Sequence, residues 1–216
     1  MKKNPFTEEE QKRIAEAVKR AESKTSGEIV PYWVSSADGY EAAFFKSALS
    51  FAILPTAYFA IGSLQWSFDS LVTPLETALW IAGFSLVGLA LAFLVPLWRR
   101  LLAGKEAIAN QVAKRAAQAF VAEEIFDTRD RTGVLIFVAD FERTVLVVGD
   151  SGVNAKAEPN EWNDIAERFA REYKSGARAD AVVNAIERCG NILERAGVER
   201  RADDKNELDD ALRTGD

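Results

Sequence analysis

The sequence predicts an α/β sandwich on a small mixed sheet of about four strands, interrupted by a helical hairpin that crosses a membrane. Three observations predict it. Two stretches of 22 residues carry no charge: "SALSFAILPTAYFAIGSLQWSF" between Lys46 and Asp69, and "TALWIAGFSLVGLALAFLVPLW" between Glu76 and Arg99. In "TGVLIFVADFERTVLVVGD", two β-branched runs flank the short charged turn Asp140-Phe141-Glu142-Arg143, as in a β-hairpin. Amphipathic helical periodicity recurs on both sides of these features.

Residues 1–42 open with a capping box, Thr7 and Glu10, followed by Ile14, Val18 and Ala21 at helical spacing. Thr25-Ser26-Gly27 ends that helix, and "EIVPYWVSS" reads as a strand in which Pro31 marks an edge position or a bulge. One helix and one strand cannot make a core. Their partners must lie beyond the apolar hairpin, residues 43–101, which is therefore an insertion into one domain. The second part of that domain is residues 102–197. Residues 105–126 are helical in pattern, with Ile108, Val112, Ala116 and Phe120 roughly in register. The strand pair follows, then the amphipathic segments "NEWNDIAERFAREY" and "ADAVVNAIERCGNILERAG", the last closed by Ala196-Gly197. From 198 to 216 the chain is charge-rich without a sustained apolar face, which predicts disorder or a frayed helix.

Each uncharged stretch would make a helix of roughly 33 Å, matching a hydrocarbon core of about 30 Å. The first contains Pro55, Thr56, Ser63 and Gln65, all tolerated in spanning helices. Trp66, Trp80, Trp98 and Tyr58 suit interfacial anchors. The competing reading is a pair of buried helices in a soluble protein, but the remaining chain, about 150 residues, is too short to wrap two helices apolar on all sides. A secretory signal is a poor reading, because a long, mostly polar stretch precedes the first span. The connector, residues 66–77, has Asp69 and Glu76 but no cation, whereas Lys46, Arg99, Arg100 and Lys105 flank the hairpin. The positive-inside tendency then predicts a two-span protein of the lipid bilayer with its soluble domain and both termini in the cytoplasm.

Composition narrows the chemistry. A net charge of −6 and a pI near 5.0 argue against a nucleic-acid partner. The single Cys189 excludes an internal disulfide framework and sits at an apolar helical position. Gly149-Asp150-Ser151-Gly152 has the letters of a serine-protease nucleophile loop, but the chain has no histidine to act as base. The tetrapeptide reads as the turn that ends a strand. Asp127 and Asp130 precede one strand of the hairpin, and Asp150, Ser151 and Asn154 follow the other, so both sets reach one end of the sheet. That makes Asp127, Asp130 and Asp150 the candidate ligands for a hard cation, Ca²⁺ or Mg²⁺. The simpler reading is solvated loop acids partly paired with Arg129 and Arg131. No catalytic residue emerges, because a phosphatase needs a nucleophile or metal-activated water plus charge stabilisation, and no glycine-rich phosphate loop occurs. Phe137, Phe141, Phe169 and Tyr173 could line a ligand pocket, although Phe137 and Phe169 suit helix-on-sheet packing.

Several ordered segments together resemble the TPM domain: "SGEIVPYWV", Thr132-Gly133-Val134-Leu135-Ile136-Phe137, Glu142-Arg143, Val147-Val148-Gly149-Asp150, Gly152-Val153, Trp162 and "AIERCGNIL". The chain is most similar to the bacterial subgroup in which two spanning helices interrupt the domain after its first strand. The resemblance implies a small α/β/α sandwich. It also implies a family in which some members bind divalent cations, some are ascribed weak phosphatase activity, and several assist assembly or repair of membrane complexes. The metal-binding type carries Asp-Asn immediately before the "GVL" strand, where this chain has Arg131-Thr132. The expectation is thus a membrane-anchored, non-catalytic binding or assembly factor for a membrane-protein partner, with a divalent-metal-dependent phosphatase as the alternative.

Overall fold

The computed structural model describes residues 4–64, 73–198 and 207–215. In order these are α1 (Glu8–Glu22), β1 (Glu28–Val34), α2 (Glu41–Gly62), α3 (Pro74–Leu94), α4 (Pro96–Ala103), α5 (Lys105–Ala122), β2 (Gly133–Ala139), β3 (Thr144–Gly149), α6 (Ser151–Asn154), α7 (Pro159–Lys174), α8 (Arg178–Arg195) and β4 (Arg213–Gly215). Contacts divide the chain into two compact units, Met1–Ala37 with Asn110–Asp216, and Asp38–Ala109.

The first unit is built on a sheet of order β3-β2-β1-β4. β1 and β2 are parallel, with Glu28 opposite Gly133 and Val34 opposite Ala139. β2 and β3 form the antiparallel hairpin expected from their β-branched runs. The burial patterns follow from these places in the sheet. β2, in the interior, is buried at every residue. β3, at the edge, alternates between buried and half-buried. On one face Ile29, Trp33, Val134, Ile136 and Val138 share a core with Ile14 and Val18 of α1, Phe169 of α7, and Ile186, Cys189 and Leu193 of α8. On the other face Val30, Leu135 and Phe137 are equally buried, and Tyr32 stacks on Phe137 at 5.8 Å between ring centroids. Among the described helices of this unit, α5 lies outside the first cluster, with its own Val112, Ala116 and Ala119 buried. The result is an α/β fold with helices flanking a mixed four-stranded sheet.

Three expectations change. β1 is an interior strand, because β4 pairs with it at Tyr32, Trp33 and Val34. Pro31 stands one residue before that pairing begins, where its missing N–H costs the β4 side nothing. The charged tail is ordered over the described residues 207–215 and supplies β4. A three-residue strand has no readable periodicity, and its pairing is fixed by contacts with residues far away in sequence. The sheet end at "GDSG" is also more than a turn: Asp150, with extended φ and ψ, caps the one-turn helix α6. The expected capping box does open α1, with Thr7 Oγ1 accepting from Glu10 N and Glu10 Oε2 accepting from Thr7 N.

In the second unit α2 and α3 pack against each other. Ser47, early in α2, meets Gly88, late in α3, so the two run in opposite directions. Ser47 Oγ donates to Gly88 O at 2.6 Å and accepts from Trp98 Nε1 at 2.8 Å. A Cβ on Gly88 would stand 2.6 Å from Ser47 O, so close backbone approach requires glycine there. Ser50, Thr56 and Ser85 direct their hydroxyls to carbonyls one turn back, which satisfies them without water. Both helices are long and apolar enough to cross a membrane, and only 11% of the most apolar part of each is buried within the protein. Gln65, Trp66 and Asp69 lie outside the described residues.

Candidate functional site

The sheet end chosen from the sequence is organised by backbone hydrogen bonds. Asp150 N donates to Gly133 O and Gly152 N to Arg131 O, both at 2.9 Å, which locks the loop before β2 to the start of α6. Gly152 is required by this approach, since a Cβ would overlap the Asp130 and Arg131 carbonyls. Asp150 is 7% exposed. Oδ1 accepts from Ser151 N at 2.6 Å, and Oδ2 lies 3.0 Å from Arg131 Nε. The Arg131 guanidinium also sits over Phe126, 5.6 Å from the ring centroid, and donates to Phe126 O. Asn154 donates to Gly149 O and accepts from Trp162 Nε1.

Asp127 and Asp130 are exposed and line different clefts. Asp127 faces a cleft of about 380 Å³ with Glu123, Glu124, Glu207, Asp209 and Arg213. Asp130 lines one of about 280 Å³ with Ser26, Thr132, Gly152 and Lys156. A hard cation takes six or more oxygens, roughly, from converging groups. Among the described residues no three His, Cys, Asp or Glu side chains come together to hold an ion. Among the described residues Asp150 faces Arg131, and Asp127 and Asp130 line separate clefts, so these three acids do not converge on one point.

Two polar clusters escaped the sequence reading. At the opposite sheet end the buried Asp140 accepts from Tyr173 Oη at 2.8 Å and lies 3.5 Å from Arg178 Nη1. Arg178 in turn sits over the Tyr173 ring, and burial followed by the Asp140 hydrogen bond pushes the Tyr173 phenol upward. Glu142, also buried, accepts from Ser36 Oγ and Ala37 N, tying the β2–β3 turn to the chain that leaves β1. These acids hold secondary structure together and present no reactive group. Their only signal in the sequence was a charged turn between two buried strands.

The second cluster gathers Glu22, Glu28 and Asp210. Glu22 Oε1 accepts from Ile29 N at 2.8 Å, while Glu28 accepts from Glu207 N and Leu208 N and so grips the segment before β4. Burial, against the Ile29 hydrogen bond and with the nearby charges of Glu28 and Asp210, raises the Glu22 carboxyl to about 9. It is therefore protonated near neutral pH.

Residues 101–192 match the family model of the TPM domain, a stretch holding the β2–β3 hairpin, the α6 corner, α7 and most of α8. The likeness to the TPM domain covers that stretch, less than half of the chain. The BA42 protein from the psychrophilic bacterium Bizionia argentinensis has a similar solved structure, with a TM-score of 0.61, 20% sequence identity, and coverage of 100% of this chain and 99% of that one. At that identity the likeness shows the fold alone. No curated protein gives a significant match. Within the matched stretch, the Arg131-Thr132 pair before β2 has a direct consequence. Arg131 supplies the cation that Asp150 faces, from the polypeptide itself.

Proposed function

We propose that the chain is a membrane-anchored, non-catalytic binding or assembly factor, with its TPM domain and both termini on the cytoplasmic side. The observation that carries this reading is the exposure of the apolar hairpin. Leu49, Ile53, Tyr58, Leu79, Leu86 and Phe93 are all more than half exposed, on helices of spanning length. Water would penalise so much apolar surface by roughly 25 cal/mol for each Å², so lipid or another apolar partner must cover it. Lys46, Arg99, Arg100 and Lys105 flank the hairpin and support the cytoplasmic assignment.

The phosphatase alternative needs three oxygens on one cation, and the separate clefts lined by Asp127 and Asp130 weigh against it. The deciding experiment is calorimetric titration of the detergent-purified chain with calcium and magnesium, using Asp127→Ala with Asp150→Ala as control. The proposed function expects no saturable binding that the double variant removes. Micromolar binding lost in that variant would overturn it in favour of metal-dependent chemistry. Site-directed crosslinking from the TPM domain in intact membranes should then yield a discrete adduct with an integral membrane protein.

A further inference from the structure

The short helix α4 stands out from both neighbours. Val95, with φ −113° and ψ 94°, breaks the chain after α3, Pro96 opens α4, and Gly104 at φ +86° ends it. An extended residue at the junction prevents α4 from continuing the α3 axis. Leu97 and Leu101, one turn apart, are 68% and 70% exposed on one face. Trp98 is turned inward on Ser47, and Arg99 sits over the Phe44 ring at 5.6 Å. On a helical wheel Arg99 lies opposite the leucine face and Arg100 beside it. Residues 94–105 hold three cations, Arg99, Arg100 and Lys105, and no acid. Lys46 joins them, its Nζ donating to Leu102 O at 3.0 Å.

From this geometry we infer that α4 lies in the membrane interface and binds anionic phospholipid headgroups. This deepens the membrane reading above and rests on it. The leucines enter the acyl boundary, and Arg99, Arg100, Lys105 and Lys46 bring positive charge to headgroup depth. Charge selects the occupant, because a zwitterionic surface offers this basic stretch no net attraction.

The test uses the full chain purified in mild detergent with a mixture of phosphatidylglycerol and phosphatidylcholine, and counts retained lipids by mass spectrometry. Wild type retains phosphatidylglycerol selectively. Arg99→Gln with Arg100→Gln weakens that selectivity by about fivefold for each arginine removed. Arg99→Lys with Arg100→Lys keeps most of it. If the glutamine pair does not fold, Leu97→Ser with Leu101→Ser gives an independent reading at exposed positions and lowers retention as well. Equal retention of both lipids by wild type, or unchanged selectivity in the glutamine pair, overturns the lipid inference alone. Displacement of the lipid by inorganic phosphate at equal concentration also overturns it, in favour of a free-phosphate site. Release of the wild-type chain from membranes by alkaline carbonate overturns the spanning reading and this inference together.

Discussion

Replacing Glu22 with glutamine should make the docking of the C-terminal segment insensitive to pH. In the folded chain the Glu22 carboxyl titrates near 9, against 4.5 for the free group. Between those values the folded state holds a proton that the unfolded state has released. Stability is therefore full below about pH 4.5, falls as pH rises, and levels off above about 9. The slope is at most about 1.4 kcal/mol per pH unit. From pH 5 to pH 8 the ceiling is about 4 kcal/mol, and relaxation of the half-buried site leaves a loss on the order of 2 kcal/mol. The loss should concentrate in residues 207–215, because ionised Glu22 faces Asp210 and Glu28, and Glu28 holds the Glu207 and Leu208 amides. Glutamine keeps an oxygen for Ile29 N and removes the titration. Amide hydrogen exchange of 207–215, corrected for intrinsic rates, should show protection falling across that range in wild type and staying level in Glu22→Gln. Parallel pH profiles in the two proteins would refute the argument.

Three further outcomes follow from the packing. Tyr173→Phe removes the hydrogen bond to buried Asp140 and should cost about 1–3 kcal/mol in thermal or denaturant unfolding, with Arg178 left as the partner that softens the loss. Phe137→Ala empties a fully buried ring from an interior strand and should cost about 3–5 kcal/mol by the same measurement. Gly88→Val drives a side chain into the Ser47 backbone and should lower the detergent melting temperature through about 1–3 kcal/mol of overpacking, whereas Gly83→Val, where a Cβ meets nothing, should change little.

How much of this was legible depended on the range of the forces involved. The α1 capping box, the β2–β3 hairpin and the apolar helices are set by residues within one turn or one alternation of each other, and periodicity shows them directly. β4 was missed because "RTG" has no pattern of its own, and its place depends on Glu28 gripping amides of residues 207 and 208. The same limit applies to the acids. Sequence order brought Asp127, Asp130 and Asp150 to one sheet end, but the left-handed backbone at Arg131 and the Gly152 contact decide which way each side chain faces. The proton on Glu22 was equally invisible, since it arises from burial and from two carboxylates on other segments.

The position of β1 bears on the order of synthesis. Its neighbours begin at Gly133 and Arg213, and the hairpin is made before either of them. Until then β1 is a run of apolar side chains with both edges open, the kind of segment that pairs with the wrong strand. Pro31 removes one donor from the middle of that run and so weakens any competing ladder. On this reading the two apolar helices are made before the sheet can start to close, and β4 closes it last.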